Sequence, residues 1–91
     1  IFNSDKEAEF RRSFTAFYPN YIPALHRLSP DITRTDELIA MLIILELSSD
    51  EIALTLGISK IGVNKARSRM RKRLGLAGDT KLEDFLKGIW D

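Results

Sequence analysis

Between Ser48 and Leu74 the chain reads as a short helix, a tight turn and a longer helix. Ser48 and Glu51, three residues apart, form the capping box that opens the first helix, Gly57 closes it, and Ser59 caps the second. With only about three residues between them, two such helices have to cross steeply. The residue types fit that demand. Ala53 is small where the helices approach, and Gly57 supplies the positive φ that a residue with a Cβ resists. Ile52, Leu56, Ile58 and Val63 are expected to fill the wedge between the two helices.

The remaining segments also read as helices, and none reads as a strand. Ser4 with Glu7 is expected to form a capping box for a first helix carrying Phe10, Phe14 and Phe17 on one face, stopping before Tyr18-Pro19-Asn20. A second runs from about Tyr21 to Leu28, with Pro23 tolerated in its first turn. Thr33 caps a third that reaches about Leu47, with Leu38, Met41, Leu42 and Leu45 on its inner stripe. Thr80 and Glu83 are expected to box a last helix with Leu82, Phe85, Leu86 and Ile89 at helical spacing. The fold class is therefore all-α: a compact helical bundle in which residues 1–30 form an N-terminal extension on the same core as residues 31–91.

Charge is unevenly distributed. The net charge is only +1, yet residues 60–73 hold seven basic side chains and no acidic one. Residues 1–48 are acidic by two charges and residues 77–91 by two more. One strongly basic face on a nearly neutral body points to a polyanionic partner. The chain has no cysteine, so disulfides and thiolate metal sites are excluded, as a reducing cytoplasm would favour. Its longest apolar run, Leu38 to Leu45, is far too short to span a membrane. A start at Ile1 rather than Met leads us to expect an upstream domain, such as a sensor, in the parent protein.

On a helical wheel at about 100° per residue, the helix over 59–74 has a narrow apolar stripe of Val63, Ala66, Met70 and Leu74. Opposite lie Ile61, Asn64, Lys65, Ser68 and Lys72; Lys60, Arg67 and Arg71 occupy one shoulder, Arg69 and Arg73 the other. That layout is what a helix inserted into the DNA major groove requires. Asn64 can match an adenine edge, Lys65 can donate to guanine, and Ser68 is an adaptable reader. Ile61 either meets a thymine methyl or packs on a neighbouring loop. Lys60, Arg67, Arg69, Arg71, Lys72 and Arg73 are assigned to phosphates, because they lie on the flanks or far along the helix.

The segment LSSDEIALTLGISKIGV (Leu47–Val63), continued by RKRLGL (Arg71–Leu76), resembles the LuxR/GerE-type helix-turn-helix domain, and Ile32-Thr33 matches its usual opening. With FYPNYIPAL (Phe17–Leu25) ahead of it, the chain is similar to C-terminal domains of multidomain Bacteroidetes regulators. The resemblance implies a transcription regulator that binds double-stranded DNA as a homodimer, often through the last helix, with Asn64, Lys65 and Ser68 among its base readers. Three positions depart from the family pattern: Gly62 and Ala66 stand where Thr and His are common, and Glu46 where glycine is usual.

Other features have plainer readings. The acidic pairs Asp36-Glu37, Asp50-Glu51 and Glu83-Asp84 each follow a capping Ser or Thr, where carboxylates favour the helix dipole, so they do not indicate an enzyme. His26 stands alone without a cysteine and is read as a partly exposed helix residue; no metal or other cofactor is expected. The stripe Leu82, Phe85, Leu86, Ile89, with Trp90, is either a dimer face or packs on the third helix. Alternatives to a DNA-binding regulator are a sigma-factor-like promoter-reading domain, a protein-interaction module that uses the basic helix, and the DNA-binding arm of an enzyme such as a transposase whose catalytic domain lies outside this chain.

Overall fold

A computed structural model describes residues 3–89 and contains six helices. They are α1 (Ser4–Phe17), α2 (Tyr21–Leu28), α3 (Arg34–Ile44), α4 (Ser49–Leu56), α5 (Lys60–Arg73) and α6 (Leu82–Gly88). No strand occurs among the described residues, so the chain is all-α. Trp90 lies outside them.

The centre of the bundle is α3, which is buried at every position from Asp36 to Ile44. From Leu38 to Ile44 it is apolar on every face, and such a helix has to be enclosed on all sides. The α5 stripe of Val63, Ala66 and Met70 and the α6 residues Leu82 and Leu86 pack onto it, and Phe14, Tyr21 and Leu25 bring α1 and α2 into the same cluster. The radius of gyration, 12.5 Å, is that of a compact chain of this length. The last-helix stripe thus packs on the third helix: Leu82 and Leu86 are buried within this chain and present no open face, while Phe85 and Ile89 are half-buried.

Three helix starts follow the expected chemistry. Thr33 accepts from the Asp36 amide, Ser48 and Glu51 form the reciprocal box at 3.1 and 2.9 Å, and Ser59 accepts from the Gly62 amide. Two starts differ. Asn3, not Ser4, caps α1 by accepting from the Lys6 amide, which leaves Glu7 to pair with Arg11 and Arg34. The cap position of α6 is Lys81 and has no side-chain hydrogen bond. There the Thr80 carbonyl is taken by Arg71, and Glu83 by Arg67.

Helix α3 ends at Ile44 rather than Leu47 because Glu46 turns left-handed at φ 68°. The amides of Glu46 and Leu47 reach back to the carbonyls of Ile43 and Leu42, the hydrogen-bond pattern of a Schellman end. A glycine at position 46 would relieve the backbone there. The early stop leaves Leu45 exposed instead of on the inner stripe. Phe17, at the end of α1, is 81% exposed and does not join Phe10 and Phe14.

An ion-pair network ties the first two helices to α3. Glu7 accepts from Arg11 Nε at 3.0 Å and Arg34 Nε at 2.7 Å. Arg11 also pairs with Glu37 at 2.9 Å, and His26 hydrogen-bonds the other Glu37 oxygen. The hydrogen bond from Arg11 holds the Glu7 carboxyl below its ordinary range, with Arg34 adding to it.

Candidate nucleic-acid interface

The candidate surface is built on α4, residues 57–59 and α5; the two helices pack on one another, and α5 also packs on α3. Gly57 sits at φ 70°, ψ 31°, and the Ile58 amide reaches back to the Ala53 carbonyl at 3.1 Å. Ile52 and Val63 are fully buried in the wedge, with Ala53 and Leu56 half-buried beside them. Ile58 does not fill it as expected: it follows the left-handed Gly57 and is 39% exposed. Gly62 also has a local reason. A Cβ there would lie 3.3 Å from the Ser59 hydroxyl that caps the helix, tighter than an ordinary contact.

With Val63, Ala66 and Met70 buried, the opposite face of α5 is fixed outward. Asn64, Lys65, Ser68 and Lys72 are exposed and make no side-chain hydrogen bond or ion pair among the described residues. Ile61 is 68% exposed, so packing on a neighbouring loop is not realised. Leu54 on α4, 77% exposed, adds a second large apolar group on the same pair of helices.

The shoulder cations are arranged quite differently. Arg67 pairs with Glu83 at 2.6 Å, and Arg71 donates to the carbonyl oxygens of Thr80 and of Ala77, the latter at 2.7 Å. On the other shoulder Arg69 and Arg73 each take one oxygen of Asp36, at 3.0 and 3.3 Å. Lys60 lies 3.3 Å from Asp50, with both side chains mostly exposed, a pairing that salt readily screens. The face opposite the core therefore carries unengaged donors, while the arginines beside it are oriented by contacts within the protein.

Residue pattern alone did not reveal Asp36 and Glu83 as partners of α5. Both sit in helix first turns, where the dipole already accounts for a carboxylate, and the arginines lie 33 and 37 residues from Asp36 and 16 from Glu83. A basic run uninterrupted by acid was the only available signal that its counterions come from elsewhere in the fold.

Among the described residues no group of three or more His, Cys, Asp or Glu could hold a metal ion. No helix there is long and apolar enough to cross a membrane. Comparisons with protein-family models, curated proteins and solved structures give no match.

Proposed function

We propose that the chain binds double-stranded DNA selectively, as the DNA-reading domain of a transcription regulator with α5 in the major groove. The observation that carries this reading is the division on α5: unengaged Asn64, Lys65, Ser68 and Lys72 with exposed Ile61 at its centre, oriented arginines on its flanks. Exposed amide, ammonium and hydroxyl groups on a rigid helix can match base edges. Cations beside them can meet phosphates. The likeness of Leu47–Leu76 to LuxR/GerE-type domains supports the same reading. A dimer through α6 would use Phe85 and Ile89, since Leu82 and Leu86 are occupied by the core.

The test is selection of duplexes from a random pool, followed by titration of the selected and a random duplex. Selective binding requires a ratio of roughly 10³ or more and affinity falling by about 0.9 log units per phosphate for each tenfold rise in salt. Lys65→Ala is expected to cost about 1–3 kcal/mol on the selected duplex and to relax choice at one base pair. Equal loss on both duplexes would remove Lys65 as a reader. Tight binding to an acidic protein with no duplex preference would instead favour the interaction-module alternative.

A further inference from the structure

Asp36 is the residue on which both arginines of one α5 shoulder converge, and its side chain is fully buried. It sits in the first turn of α3, three residues after the Thr33 cap, with its own amide bonded to the Thr33 hydroxyl at 3.1 Å. The carboxylate is thus fixed on the most enclosed helix of the bundle. Its Oδ1 accepts from Arg69 Nη2 and its Oδ2 from Arg73 Nη1. Each contact uses one of the five N–H donors of a planar guanidinium and leaves the others free. The Arg69 side chain remains half exposed and that of Arg73 about a third exposed.

Burying a carboxylate among cations adds little to stability, because desolvation offsets most of the attraction. It does fix geometry. It also cancels one of the two positive charges on that shoulder. Arg67 and Arg71 differ, since their partners lie in and just before α6.

We propose that Asp36 is a specificity-determining positioning residue: it holds Arg69 and Arg73 as oriented phosphate donors beside the reading face and withholds them from indiscriminate attraction to nucleic acid. The inference rests on the DNA-binding reading above. Without Asp36 the two side chains would be free to find any phosphate, so binding to random DNA would hold or rise while register on the chosen site would loosen.

The test uses the 91-residue chain and its Asp36→Asn variant, with a duplex selected from a random pool by the unaltered chain and a random duplex of equal length. Anisotropy titrations run from about 50 to 200 mM salt, and circular dichroism follows melting. Asp36→Asn is expected to lower the selected-over-random ratio by about tenfold or more. Random-duplex affinity should be unchanged or higher, with a salt dependence steeper by about one phosphate. In an Arg69→Ala/Arg73→Ala background, adding Asp36→Asn should leave the ratio where it was.

An unchanged ratio in the folded variant, or the same loss in the double-alanine background, overturns the proposal. If Asp36→Asn does not fold, Arg69→Lys/Arg73→Lys keeps both charges but gives up the planar fork. It must lower the ratio to a similar degree, and an unaltered ratio there is equally fatal. Absence of any duplex preference in the unaltered chain is a different result: it removes the DNA-binding reading itself, and this inference with it.

Discussion

Arg71 looks from the sequence like one more phosphate contact, but the structure makes it the latch between α5 and α6. Its guanidinium donates to the carbonyls of Thr80 and Ala77, in the segment that leads from Gly75 into α6. Arg71→Ala removes both bonds. Hydrogen bonds involving a charged group contribute about 1.5–3 kcal/mol each. The side chain is only half-buried, and water can replace the lost donor, so a combined loss of about 2 kcal/mol is expected. At about 2 cal/mol/K of unfolding entropy per residue, that lowers Tm by about 10 °C. The neighbouring Lys72 is exposed and has no partner among the described residues, so Lys72→Ala should change stability by less than about 0.5 kcal/mol. Thermal melting followed by circular dichroism measures both. Amide hydrogen exchange should also quicken in α6 for Arg71→Ala alone. Arg71→Lys keeps the charge without the fork, so it should recover less than half the loss. Melting temperatures of Arg71→Ala and Lys72→Ala within a degree or two of one another would refute the latch.

Three further outcomes follow from local geometry. Gly57→Ala places a Cβ at φ 70° and should cost about 1–2 kcal/mol, whereas Glu46→Gly, relieving φ 68°, should raise Tm; opposite signs in one melting series are the check. Tyr21 is fully buried, its hydroxyl has no hydrogen-bond partner among the described residues, and burial pushes its ionisation above the ordinary phenol range. Tyr21→Phe should therefore gain about 1 kcal/mol in denaturant unfolding. Because the Glu7 carboxyl is held below its ordinary range, its contribution to stability is present above that range and lost as pH falls through the lowered folded value. Glu7→Gln should flatten that part of the acid-stability curve, which a melting series across acid pH will show.

Much of this fold is legible from caps and periodicity because those signals are local. Ser48, Glu51, Thr33 and Ser59 act within four residues of themselves, and the α5 stripe depends only on the helical repeat. The same locality explains the misses. Ser4 and Thr80 have the right side chains for caps, but the first helix already includes Ser4, so the cap falls to Asn3, and arginines claim the groups at the other site. Glu46 carries no sign of its left-handed φ, which the two carbonyls of α3 impose. The exposed face of α5 can be placed from the wheel, whereas the destination of each arginine depends on which carboxylate or carbonyl the tertiary fold brings within reach.

The central claim is that the face of α5 opposite the core meets duplex DNA. Its most direct test is a heteronuclear NMR titration of the labelled chain with a duplex at low salt. The account predicts that signals of Ile61, Asn64, Lys65, Ser68 and Lys72 shift first and most, while those of α1 and α2 stay in place. Shifts centred on α1 or α6, or a spectrum indifferent to duplex at low ionic strength, would contradict it.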